Sequence, residues 1–300
     1  MMSSRDETPH KLCGCTGVRW CANCLDPRVR QHHRMDPPIR IPDFLLTRPE
    51  DSKSNPDRLD RIHLFDLETQ RAPSCPEFRG VFVFRDFFSK GEAERLLEEI
   101  EKTPFGPAQS GKQKQHYGSK VNFNKQKINS ARFRGLPAYT RDIESRLQEL
   151  VEAPRDEGVN TSDGRALRHA LKGFETTDVF VLRYHERDQS NLDFHRDDTF
   201  AYGETILDLS LESDSVLTFL DRDRRGAEPG LENCVRVPLP ARSLAVVFGP
   251  ARLDWEHAIL AYDIAKRRTS VTLRTLNERL RRSETGRQIL CIARGDVLRS

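Results

Sequence analysis

Residues 178 to 211 decide the fold: DVFVLRY at 178–184, the triplet His195-Arg196-Asp197, and TILDLSL at 205–211. Both flanking runs alternate and are rich in β-branched residues, which predicts two strands with the triplet between them. Successive side chains of a strand point to opposite faces, so His195 and Asp197 are expected to project the same way and to share one metal ion. His257 follows SLAVVF at 243–248, in another strand-like stretch, and would complete the set. Two imidazoles and a carboxylate leave one face of the metal open, as in non-haem Fe(II) oxygenases; a closed structural zinc site needs a fourth protein ligand. RTSVTLR at 268–274 sets Arg268 and Arg274 six residues apart, hence on one strand face, and planar guanidinium forks suit the carboxylate of a small diacid.

The triplet is a weak signal by itself, and its context gives it weight. His195-Arg196-Asp197, His257, Arg268 and Arg274 at these spacings resemble the AlkB family of Fe(II)- and 2-oxoglutarate-dependent dioxygenases, its AlkB homologue 4 group most of all. Four further stretches carry the resemblance: Cys13-Gly14-Cys15 with Cys21 and Cys24, QSGKQKQHYG at 109–118, KVNFNKQK at 120–127, and LDWEHAI at 253–259. It spans most of the chain apart from about 26–75. The resemblance implies an enzyme, an oxidative demethylase that uses Fe(II), 2-oxoglutarate and O2. It implies iron on His195, Asp197 and His257, the co-substrate's far carboxylate gripped by Arg268 and Arg274 together, and a contribution from Tyr184. It also implies a target that is methyl-lysine in protein (actin, with an actomyosin association), N6-methyladenine in DNA, or both. One departure stands out: relatives commonly carry Asn two or three positions before that tyrosine, where this chain has Val181 and Leu182.

The fold expected is α+β with a mainly β core, a double-stranded β-helix or jelly roll with flanking helices and an N-terminal cysteine-rich arm. The expected division is a cysteine-rich segment over 1–30, a linker or wrapping arm over 31–78, and a dioxygenase domain over 79–300 with a substrate lid at 107–130. The 300 residues are 36% hydrophobic and 32% charged, with 49 basic against 46 acidic side chains and a net charge of +3. That balance supports a sizeable core and excludes a global basic field, so a nucleic-acid surface has to be local. No apolar run approaches the ~20 residues of a membrane span. The opening MMSSRDETPHK lacks the apolar segment of a secretory signal, so cytoplasm and nucleus are expected, with cysteines mostly reduced.

Four of the seven cysteines, Cys13, Cys15, Cys21 and Cys24, lie within twelve residues. Four thiolates at that spacing can wrap a structural Zn²⁺, although the Cys-x-Cys half is tighter than the usual knuckle; a redox-sensitive tail is the alternative. Asp26 to about Cys75 is rich in Pro and charge and cannot bury a core of its own. Ser89-Lys-Gly-Glu92 is a capping box that starts a helix with Ala93, Leu96, Leu97 and Ile100 on one face. Residues 142–151 give a second amphipathic helix, and 276–290 a third. The run from 109 to 127 interleaves lysines with His116, Tyr117 and Phe123, cations and flat rings that can stack on a base or cage a methylated amine. By resemblance it is the lid, with Tyr117 and Gln115 as its substrate-facing residues. Asp198 is read either as a substrate contact or as a turn cap. A non-catalytic jelly-roll module with a zinc-binding arm is the alternative to the enzyme as a whole.

Overall fold

The structure, a computed structural model, describes Leu45 and residues 61–152, 162–221 and 233–295. The Cys13, Cys15, Cys21 and Cys24 cluster and its zinc lie outside these residues. Eight strands form the central unit: β7 (Asp178–His185), β8 (Leu192–His195), β9 (Tyr202–Leu211), β10 (Ser215–Leu220), β11 (Cys234–Leu239), β12 (Leu244–Val247), β13 (Glu256–Ile259) and β14 (Arg267–Leu276). The chain passes back and forth between two facing sheets. β12, β9, β14 and β7 are neighbours in one, and β11, β10, β13 and β8 in the other. That interleaving is the double-stranded β-helix expected from the sequence.

Earlier strands extend both sheets. β1 (Ile62–Leu64) pairs in parallel with β11, and β2 (Val81–Phe84) pairs with β12. β3 (Gly106–Pro107) and β4 (Gln113–Tyr117) add to the free edge at β7, while β5 (Lys120–Asn122) and β6 (Lys127–Asn129) make a separate hairpin. The domain therefore starts by residue 61. Phe65, Ala72, Cys75 and Phe78, expected in the linker or arm, are buried between the sheets with Phe219 and Trp255. Phe78 packs its ring 4.9 Å from Phe219 and 5.0 Å from Trp255, closing one end of the barrel. Packing of this kind is that of a wrapping arm and not of a free linker over 65–78, because a few aromatic anchors suffice when the neighbouring sheets supply the rest of the core.

The outer face of the larger sheet is apolar and covered by helices, while its inner face carries polar and charged side chains such as Asp208, Ser210 and Arg268 beside Tyr184. Val179, Val181, Leu207, Leu209, Leu211, Val271 and Leu273 point outward, against Ala93, Leu96 and Ile100 of helix α1 (Lys90–Glu101) and Ile143 and Leu147 of α2 (Tyr139–Glu152). Ser89 and Glu92 make the reciprocal capping box at the start of α1. Helix α3 (Ser162–Leu171) falls inside the polar stretch 153–174 and buries Leu167. A short α4 (Gly249–Leu253) precedes β13. The expected helix over 276–290 is instead the end of β14 followed by α5 (Glu278–Arg281) and α6 (Glu284–Arg294), because Asn277 and Ser283 each cap a new start. No helix among the described residues is long and apolar enough to cross a membrane.

Candidate metal centre

β8 and β13 lie side by side with His195 and His257 in register, and the two imidazole centroids are 4.4 Å apart. His195, Asp197 and His257 bring one ligand atom each within 4.8 Å of one another. The strand ends at His195, however, so the extended backbone that was to place Asp197 stops two residues short of it. Side chains from elsewhere do the placing. Arg274 donates from Nε and Nη2 to Oδ1 of Asp197, at 3.1 and 2.9 Å, which leaves Oδ2 turned to Nε2 of His257 at 3.5 Å. Arg252 of α4, wholly buried, donates to the carbonyls of Asp197 and Asp198 at 2.6 and 3.0 Å and pins the loop.

The protonation states suit a metal. Burial alone would raise the Asp197 carboxyl, but Arg274, His195, His257 and Arg252 outweigh it and hold the group far below the usual carboxylate range. Burial lowers the His257 imidazole against the pull of Asp197, favouring the neutral form that can donate a lone pair. His195 bonds the carbonyl of Asp193 through Nδ1 at 2.8 Å, which fixes the ring and makes Nε2 its metal-facing nitrogen. Two imidazoles with one carboxylate, and no fourth ligand grouped with them among the described residues, fit an open non-haem iron site.

Tyr184 is buried, as expected, with the guanidinium carbon of Arg268 5.3 Å from its ring centroid. Arg268 also donates to Ser210 Oγ at 3.0 and 2.8 Å and to Asp208 at 2.7 Å. The joint grip of Arg268 and Arg274 on one carboxylate needs correction. Even spacing does place both on the barrel face, but six residues of strand separate their backbones by ~20 Å. Their side chains are tied to different partners, Arg274 to Asp197 and Asp178 and Arg268 to Asp208 and Ser210. Of the two arginines, Arg268 is the one beside Tyr184.

Gln115 and Tyr117, expected to face substrate, do not face the barrel. In β4, Gln115 turns to the helix side, where it is buried and donates to the carbonyls of Ile100 and Thr103, and Tyr117 packs against the same outer core. The barrel-facing residue between them is His116, whose ring lies 4.8 Å from Phe180 and whose Nε2 meets Asp178 Oδ2 at 2.6 Å. A strand was not expected here, so the parity of 113–117 went unread. Asp198 accepts from the amide of Ala201 at 2.9 Å, the bond of a turn cap. Arg252 and Asp178 also escaped the sequence reading. A lone arginine in a five-residue helix carries no periodic signal, and Asp178 reads as the start of a strand.

Comparison with known proteins agrees with this geometry. The human alpha-ketoglutarate-dependent dioxygenase alkB homolog 4 is 30% identical across 98% of this chain and 97% of its own. The chain belongs to the AlkB family of 2-oxoglutarate-dependent dioxygenases. The mouse alkB homolog 4 is 29% identical over 93% of the chain and 92% of its own length, and a Caenorhabditis elegans protein described as a DNA N6-methyl adenine demethylase is 26% identical over 88% and 86%. Among solved structures, one titled "The structure of OsALKBH1" aligns with 66% of this chain and 97% of its own at 12% identity, with a TM-score of 0.46. No protein-family model matches. As an AlkB dioxygenase the chain uses Fe(II), 2-oxoglutarate and O2, and His195, Asp197 and His257 are the group able to hold the iron.

Proposed function

We propose that this AlkB dioxygenase removes the methyl group of N6-methyladenine in DNA. The observation that carries the reading is a line of rings and cations leading to the metal. Phe123, at the turn of the β5–β6 hairpin, is 48% exposed and lies 6.3 Å from Tyr202. The guanidinium of Arg274, which holds Asp197, lies 5.0 Å from the Tyr202 ring. Lys120, Lys125 and Lys127 of the same hairpin are exposed. An unstacked base laid on this platform sits beside the metal ligands, with its phosphates among the lysines. The Caenorhabditis elegans relative's description supports the same substrate.

Bound iron and 2-oxoglutarate supply the oxidising chemistry. The chain's residues do the holding: Arg274 and Arg252 fix Asp197, Arg268 and Tyr184 receive the far carboxylate, and the hairpin presents the base. The test compares formaldehyde release from an N6-methyladenine oligonucleotide and from a trimethyl-lysine peptide, at equal ionic strength and with 2-oxoglutarate present. Turnover of the oligonucleotide that falls steeply with salt is the expected result. Turnover of the peptide alone would transfer the assignment to methyl-lysine, since the same rings can cage a methylated ammonium.

A further inference from the structure

One buried cation near the site has no part in the account so far. Lys112 directly precedes β4, whose first residue, Gln113, pairs with Arg183. Lys112 therefore falls beside Tyr184, which on its other side pairs with Arg268. Residues in register across antiparallel strands share a face, so Lys112, Tyr184 and Arg268 form one row across the inside of the larger sheet. The contacts agree: Lys112 Nζ is 5.8 Å and Arg268 Cζ 5.3 Å from the centroid of the Tyr184 ring. Lys112 is only 7% exposed, although its sheet-mate Lys114 lies open to solvent. Its ammonium donates to the carbonyl of Asn191, just before β8, and so sits where the two sheets approach each other.

Lysines are rarely buried to this extent unless a partner meets the charge. The chemistry of the row suggests one. Arg268 carries its own carboxylate, Asp208 at 2.7 Å. A guanidinium already paired in this way offers an incoming carboxylate much less net attraction than a lone one, and a second cation beside the same ring restores it.

We propose that Lys112 is a binding residue for the far carboxylate of 2-oxoglutarate, sharing it with Arg268 around the Tyr184 ring, and that it sets the preference for a diacid over a monoacid 2-oxo acid. The inference rests on the dioxygenase reading of the site. Its test uses the full chain loaded anaerobically with Fe(II), titrated with 2-oxoglutarate and separately with 2-oxopentanoate, which has the same keto-acid end and no far carboxylate. The visible charge-transfer band reports binding of each. In Lys112→Met the 2-oxoglutarate affinity is expected to fall by about tenfold to a hundredfold, with 2-oxopentanoate unchanged and Lys112→Arg keeping most of the preference. A lysine that merely braces the Asn191 carbonyl would weaken both acids alike or neither, and either result overturns the proposal. The readout is the ratio between the two acids, which general loosening leaves in place, so Lys112→Gln serves equally if the Met variant folds poorly. Absence of a band with either acid in the unaltered protein would instead remove the dioxygenase reading, and this inference with it.

Discussion

Arg274 holds Oδ1 of Asp197 with two of its nitrogens, and the opposite oxygen of the same carboxylate faces His257. The arginine thus works as an orienting group for the metal ligand, from a strand on the opposite sheet to the two histidines. Replacing it by Met should lower Fe(II) or Co(II) affinity by about tenfold to a hundredfold, the usual effect of losing an outer partner of a metal ligand. It also leaves Asp197 and Asp178 buried without their shared cation, at a cost of about 3–5 kcal/mol. Competition against a chelator measures the first effect, and denaturant unfolding of the metal-free protein the second. Unchanged metal affinity would show that the loop alone orients Asp197.

Arg252 acts on the backbone of the same loop. Its two bonds to the carbonyls of Asp197 and Asp198 are charge-assisted, worth about 1.5–3 kcal/mol each. Arg252→Met should therefore destabilise the protein by a few kcal/mol on that scale and weaken metal binding in parallel. Arg252→Lys, with a single ammonium in place of a fork, should recover part of both. Thermal melts with and without metal check this: a variant that loses stability but keeps full metal affinity would confine Arg252 to packing.

These two arginines mark the limit of what the sequence could tell. The alternation of 178–184 and 205–211 disclosed the strands, and with the even spacing of 268–274 the face shared by Arg268 and Arg274, because a period of two is set by the chain itself. The pairing of His195 with His257 was legible only as a pair of plausible ligands, since no local rule brings β8 beside β13. The separate tasks of Arg268 and Arg274 were illegible for the opposite reason. Spacing fixes the face and says nothing of the partners waiting there, Asp208 and Ser210 for one, Asp197 and Asp178 for the other. Gln115 and Tyr117 were read as facing substrate, and face the helices instead, because a lysine-rich run hides strand parity. Phe65 and Phe78 were assigned to a linker or wrapping arm because anchors spaced that widely leave no periodic trace.

Cys75 and Cys234 are buried thiols, and burial pushes both up to about 12, with Glu77 adding to the rise at Cys75 and Arg236 opposing it at Cys234. At pH 8.5 fewer than about one such thiol in a thousand is the reactive thiolate. Brief treatment of the native protein with iodoacetamide at that pH should leave both unlabelled, and the same treatment in guanidinium should label both, as read by peptide mass spectrometry. The sign of the pH effect follows from the raised values. The neutral buried thiols stabilise the fold fully below the pH where an unfolded thiol ionises, about 8.5. That contribution is lost as pH climbs from there through about 12, so labelling should increase steeply over this window. Rapid labelling of either cysteine at pH 8.5 would mean that the sheets around it open readily.

A substitution one step further from the metal tests whether the charges behave as a connected set. His116, Asp178, Arg274 and Asp197 follow one another through contacts of 2.6, 3.5 and 2.9 Å. Gly118 lies against the first of these: a Cβ there would stand 2.3 Å from Asp178 Oδ2 and 3.1 Å from His116 Nε2. Gly118→Ala must therefore displace the Asp178 carboxylate, which is held on one side by the imidazole and on the other by Arg274. The expected cost is about 1–3 kcal/mol, together with a weaker metal site and loss of the His116 imidazole bond in nitrogen-detected NMR. His116→Ala removes the ring that blocks the carboxylate's escape, so the double variant should be less destabilised than the sum of the two single ones. Strict additivity in the cycle, with unaltered metal affinity in Gly118→Ala, would show that the His116–Asp178 pair and the metal ligand respond independently.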